Sequence, residues 1–207
     1  RPLSSNVRAQ DHMRRVIFIS HPNVVISREI PVPQWPLSSL GRNRMAASLV
    51  QPWIQDVSAI YCSTEQKSID SAEILARHLS LEIQPVRDLG ENDRSSTGFL
   101  PPDEFEKVAD QFFAAPHDSV RGWETAFAAQ QRIVEAVGKL AAADGASGSI
   151  AIVSHGAVGT LLYCHLSGQP ISRRWDQPSN GGGNFYTFQL SPMQVFSWWK
   201  PIDEIAL

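Results

Sequence analysis

Ser149-Ile-Ala-Ile-Val-Ser-His-Gly156 is the stretch whose reading decides the fold. Its first six residues are small or β-branched and almost wholly apolar, which is the signature of a strand covered on both faces. Helical spacing begins at once and runs from Ala157 to Leu166. A strand of this kind needs helices above and below it, and the rest of the chain supplies them. Arg15-Val-Ile-Phe-Ile-Ser20 has the same character and also ends in a histidine, His21, which Pro22 biases toward extended backbone. Ala59-Ile-Tyr-Cys62 and Leu81 to Val86 read as two further strands, and Phe185 to Leu190 and Gln194 to Trp199 as a final pair. Between them, Met45, Ala46, Leu49 and Val50 mark a helix, which Pro52 kinks or follows with a new turn. Ser68 to Leu79, Asp103 to Ala114 and Gly122 to Ala143 carry helical periodicity as well. The alternation predicts an α/β fold, a single-domain three-layer α/β/α sandwich with a mostly parallel central sheet. Its expected span is residues 15–207, behind an N-terminal extension of residues 1–14 in which Met13 is a candidate start.

Bulk properties narrow the function. With 43% hydrophobic and 19% charged residues, the 207-residue chain reads as globular and long enough for one substantial core. A net charge of −3 offers no broad surface for a polyanion, so nucleic acid is not an expected partner, and any phosphate site has to be a local concentration of positive charge. Cys62 and Cys164 form neither a Cys-x-x-Cys nor a zinc spacing and read as two reduced, buried thiols. The apolar runs fall short of the roughly 18 residues that span a bilayer, so no membrane association is expected. The first twelve residues lack the apolar stretch of a signal peptide, and the expected location is cytoplasmic. The oligomeric state is not legible.

The chemistry points to two strand ends. In an open α/β sheet, ligands bind outside the carboxyl ends of the strands. His21 and His155 both stand there, and the helix start at Gly156-Ala157 would suit an anion. A lone histidine is more often a hydrogen-bonded structural residue; it is the shared placement of the two that argues for function. His12, His78, His117 and His165 lie in the tail, on helices or in loops and read as ordinary.

From Arg15 to about Gln189 the chain resembles the histidine phosphatases related to phosphoglycerate mutase. The match is carried by Ser20-His21-Pro22, where the family has Arg-His-Gly after its first strand, and by Leu37-Ser38-Ser39-Leu40-Gly41, similar to its Leu-Thr-x-x-Gly helix start. It continues through Cys62-Ser63-Thr64 with Lys67 and Ser71-Ala72-Glu73, then Leu89-Gly90-Glu91, then Gly122-Trp123-Glu124-Thr125, and closes on an intact Val153-Ser154-His155-Gly156. Six pieces in the right order make the resemblance specific. It implies that His21 is a nucleophile forming a phosphohistidine, that a protonated His155 contacts the phosphoryl oxygens, and that Glu91 is the general acid and base, with Asp93 behind it. It also implies phosphate contacts from Lys67, Ser20, Ser63 and Gly156, with no metal and no cofactor. The implied substrate is a small phosphoester or a phosphopeptide.

The departures fall on the phosphate. Ser20 and Lys67 stand where the family has arginines, so a hydroxyl and a point charge replace two five-donor forks. Arg28 and Arg94 are the nearest candidate replacements along the chain. Beside a phosphohydrolase, three other readings stand: a weak or inactive phosphate-binding protein on the same fold, a mutase-like phosphotransferase, and an α/β-hydrolase using Ser154. The last lacks the first glycine of a nucleophile elbow and a histidine after Asp176. Gly181-Gly182-Gly183-Asn184 precedes a strand and reads as a turn that could wall the pocket. Trp35 and Trp123 read as core or pocket residues.

Overall fold

In the computed structural model, which describes residues 14–206, a seven-stranded sheet is flanked by helices on both faces. The strands are β1 (Val16–Ser20), β2 (Val57–Cys62), β3 (Ile83–Pro85), β4 (Ser149–Ser154), β5 (Asn184–Leu190), β6 (Met193–Val195) and β7 (Lys200–Pro201). Their order is β3-β2-β4-β1-β5-β6, with β7 paired to β5. β3, β2, β4 and β1 run parallel to one another, as the intervening helices require. β5 runs antiparallel to β1, β6 and β7, so the sheet is mixed: a parallel half that carries the histidines and an antiparallel half that closes one side.

The helices are α1 (Ser39–Ala47), α2 (Gln66–Leu79), α3 (Pro102–Ala114), α4 (Ala126–Ala143) and α5 (Gly156–Leu166). The period-two alternation of the central strands sorts the core into two layers. Phe18, Ile150, Ile152 and Tyr186 point to the face covered by α3, α4 and α5, where Phe112, Ile133 and Leu161 meet them. Ile17, Ile19, Ala151 and Val153 point to the other, against Met45 of α1 and Leu75 of α2. Both thiols are buried and unpaired. Among the described residues no helix is long and apolar enough to cross a membrane.

Several boundaries move for local reasons. α4 starts at Ala126 rather than Gly122, because Arg121 and Gly122 take positive φ and the Thr125 hydroxyl then caps the helix by accepting from Ala128 N at 3.1 Å. The last expected strand, Gln194 to Trp199, is replaced by the short β6 and β7. α1 begins where its motif implied: Ser38 Oγ accepts from Gly41 N at 3.1 Å. Gly41 is required there, since a Cβ would fall 2.2 Å from the Asn23 carbonyl oxygen. The expected extension of residues 1–14 lies outside the described residues except for Arg14, which pairs with Asp144 and donates to Gly148 O at 2.6 Å and so belongs to the domain.

Candidate active site

Strand register assembles the site. Ser20 lies opposite Ser154 in the parallel β1–β4 ladder, and His21 N donates to Ser154 O at 3.1 Å. The two histidines therefore leave neighbouring strands at one level, with ring centroids 5.1 Å apart and planes crossed at 71°. On the far side of β4, Cys62 pairs with Val153, which raises Ser63 and Glu65 beside His155.

His21 is set up as a neutral base. Its Nδ1 lies 2.8 Å from Pro22 O, an acceptor only, so that nitrogen carries the proton and Nε2 keeps its lone pair. Burial, then the charges of His155 and Lys67, push its pKa down to about 3. His155 is wholly buried. Its Nε2 lies 2.9 Å from Glu65 Oε2 and 2.7 Å from Ser63 Oγ, while its Nδ1 has no partner among the described residues.

Glu65 is the site residue that sequence reasoning missed. Its Oε2 also accepts from Glu91 N at 3.0 Å, and its Oε1 is 3.4 Å from Lys67 Nζ. Burial alone would raise its pKa, but His155, Lys67 and the Glu91 N–H outweigh it and hold the carboxyl well below the usual carboxylate range. The available signal was positional: Glu65 stands three residues beyond the end of a parallel strand, at the edge that carries both histidines. Gln177, which lines the cleft, had no comparable local signal.

Glu91 is brought to the same place. Its carboxylate accepts from Ala157 N at 3.1 Å and Val158 N at 3.0 Å, so it occupies the start of α5 that had been expected to take a ligand anion. Its loop is clamped by Arg132, which donates to the carbonyls of Asp88, Gly90 and Glu91 and pairs with Glu124 at 2.8 Å. Glu124 thus serves the site through Arg132. Asp93 is exposed and bonded to Ser95, apart from the cleft.

The expected phosphate contacts divide. Lys67 is at the site but occupied: Nζ donates to Val32 O at 2.9 Å and lies 5.6 Å over the Trp35 ring. Burial lowers its pKa, with Glu65 opposing. Ser63 is buried and holds His155 rather than capping α2. Ser20 is buried with its hydroxyl turned to Gln177 Oε1 at 2.6 Å and accepting from Asn184 N at 3.0 Å, so it is not presented to a ligand. Gly156 lines the cleft, and its lack of a Cβ admits Gln177, whose Nε2 lies 2.2 Å from where one would stand. Arg28 is exposed, packed 5.6 Å from the Phe99 ring, and does not line the cleft. Ser154 is buried with its hydroxyl donated to Leu89 O at 2.6 Å, which removes it as a nucleophile.

A cleft of about 230 Å³ opens over His21, floored by Glu91 and Gln177 and walled by Arg94, Phe105 and Trp123. Gly181 and Gly182 wall it as expected. Both have positive φ, and a Cβ on Gly182 would strike His21 O at 2.3 Å.

A single three-layer α/β/α domain built on a mixed central sheet is the phosphoglycerate mutase-like fold. The chain belongs to the histidine phosphatase superfamily, branch 1, whose family model matches residues 28–192. That span holds Glu91 and His155 and begins after His21, whose place rests on the β1–β4 register. The fold is similar to that of mycobacterial glucosyl-3-phosphoglycerate phosphatase bound to inorganic phosphate, with a TM-score of 0.73 and 18% identity over 92% of this chain and 99% of that one. YhfR from Bacillus stearothermophilus gives 0.74 and 21% identity over 93% and 98%. The alpha-ribazole phosphatase of Shigella flexneri gives 0.64 and 17% over 93% and 98%. Likeness at these identities is one of fold. No curated protein matches the sequence.

Proposed function

We propose that the chain is a phosphohydrolase that cleaves phosphate monoesters through a phosphohistidine on His21. The observation that carries this reading is the histidine pair, one imidazole held neutral and the other bound to a partly buried carboxylate, its second nitrogen without a partner among the described residues. His21 Nε2 attacks phosphorus as the bond to the alcohol oxygen breaks, and Glu91 delivers a proton to that oxygen. Water then attacks the phosphohistidine, Glu91 takes the proton, and His21 leaves with its lone pair restored. His155 and Lys67 supply the fixed positive charge that stabilises the phosphoryl oxygens. Glu65 is a positioning residue that gives the His155 imidazolium its counter-charge. The small cleft suits a small phosphoester.

Turnover of an aryl phosphate, with rapid quenching of the radiolabelled enzyme, tests the scheme. The expected label survives alkali and is lost in acid. An acid-stable label, or turnover with none, would overturn the histidine intermediate. Retained phosphate binding with no turnover of any monoester would favour a binding protein.

Two further outcomes follow. Glu65→Gln keeps a hydrogen-bonding group but removes the charge beside His155 Nε2, so kcat should fall by about 10- to 100-fold. Steady-state rates on the folded variant, with kcat separated from KM, read this. Separately, since the folded pKa of His21 lies near 3, the acid limb of kcat/KM should not reflect an ordinary histidine. A lowered pKa means that the unfolded chain binds this proton more readily. Stability from His21 is therefore complete above about 6.5 and lost as pH falls toward 3. Urea denaturation of the wild type and His21→Asn across that window should show the smaller acid loss in the variant.

A further inference from the structure

Two cations of the scheme above, Lys67 and the His155 imidazolium, have a carboxylate set between them. Glu65 Oε2 lies 2.9 Å from His155 Nε2, and Glu65 Oε1 lies 3.4 Å from Lys67 Nζ. The same Oε2 accepts from Glu91 N at 3.0 Å, so both carboxylate oxygens are engaged and the group stays ionised. All three charges reach His21: those of His155 and Lys67 lower its pKa, and that of Glu65 raises it.

The strand end beside them adds no charge. Ser20 Oγ donates to Gln177 Oε1 at 2.6 Å, and Asn184 Nδ2 donates to the same oxygen at 2.9 Å. Gln177 Nε2, over Gly156 and at the cleft, is left without a hydrogen bond among the described residues. A neutral amide donor therefore faces the site. The other ionisable groups lining the cleft offset one another. Arg94 Nη2 stands 3.8 Å from Glu91 Oε2. Arg173 pairs with Glu106 and Asp110, and the Asp176 carboxyl lies 3.6 Å from Arg173 Nε. With His21 neutral, the phosphoryl position keeps one net positive charge, that of Lys67 and His155 less Glu65. One negative charge is matched there. A second would meet the Glu65 carboxylate with no cation left for it.

We propose that the site selects a phosphoryl group carrying a single negative charge. Such a group is a monoester in its singly protonated form or a diester, which has one charge at every pH. This deepens the phosphohydrolase reading and rests on it for the place of the phosphoryl group. The steps stay balanced. The proton or second ester group remains on its phosphoryl oxygen while His21 Nε2 bonds to phosphorus, the leaving oxygen takes the Glu91 proton, and water later returns one.

A pH profile on a monoester alone mixes ionisation of the ester with that of Glu91, so ions of fixed charge come first. Sulfate and perchlorate are tetrahedral oxyanions of similar size with two charges and one. Their binding is read by NMR titration of the histidine ring protons at about pH 6, where an imidazolium persists without help. The wild type should bind perchlorate at least as tightly as sulfate. Glu65→Gln should shift the ratio toward sulfate by about 10- to 100-fold, and the comparison of ratios cancels the ions' own difference in hydration. Glu65→Met gives the same comparison if the glutamine variant does not fold. A wild-type preference for sulfate of about tenfold or more, or a ratio unmoved by both substitutions, overturns the proposal. Rates on nitrophenyl phosphate and methyl nitrophenyl phosphate then separate the two sources. Turnover of the diester supports a diester substrate. Turnover of the monoester alone, with kcat/KM falling in step with its singly protonated fraction, supports the protonated monoester. A monoester rate that holds level as the second charge forms overturns the proposal while leaving hydrolysis intact. Absence of turnover on both esters, with the perchlorate preference present, overturns the phosphohydrolase reading and leaves the charge preference of the site standing.

Discussion

Replacing His21 by asparagine should lower kcat/KM for aryl phosphates by on the order of 10⁴-fold or more and abolish the labelled intermediate, because among the described residues no serine, threonine, cysteine, lysine or second histidine lines the cleft. Asparagine keeps a polar group of similar reach, so the β1 ladder and the Pro22 turn are spared. The candidates that could stand in for the histidine are already committed. Ser154 is buried and bonded to Leu89 O, Ser63 to His155, and Ser20 to Gln177 and Asn184. Steady-state rates, with circular dichroism and urea denaturation confirming the fold, check the outcome. A variant that keeps more than a tenth of wild-type activity would remove His21 from the chemistry.

Glu91→Gln should show an effect graded by the leaving group. General acid catalysis contributes about 10²- to 10⁴-fold when the departing alkoxide is a poor one, and little when the oxygen leaves readily as an anion. The variant should therefore lose on the order of 10³-fold on an alkyl phosphate and less than about tenfold on a dinitrophenyl phosphate. Glutamine retains an acceptor oxygen for one of the two N–H groups at the start of α5, so folding should survive. A uniform loss across leaving groups would reduce Glu91 to a structural cap of that helix.

The parallel half of the fold was legible because strands buried on both faces are continuous apolar runs, as in Ile17 to Ser20 and Ile150 to Ser154. The histidine pair was legible for the same reason: each stands directly after such a run. The lining of the site was less so. Whether the Ser20 hydroxyl faces a ligand depends on Gln177, brought in by a distant loop, and nothing near Ser20 encodes that partner. Arg28 looked close along the chain, yet its loop turns it outward against Phe99. Glu65 reads in sequence as a solvated acid before a helix. Only the β2–β4 pairing shows that it abuts His155. The antiparallel edge was read too long because Phe196, Ser197 and Trp198 share the composition of strands without the pairing.

The β1–β4 ladder carries an implication for how the molecule comes into being. It joins segments from opposite halves of the polypeptide, so the two imidazoles meet only after a very long loop has closed. Nascent chains still lacking β4 have the first histidine but no partner for it; under the proposed function, competence is tied to late, non-local assembly and phosphate-ester turnover would report completed folding.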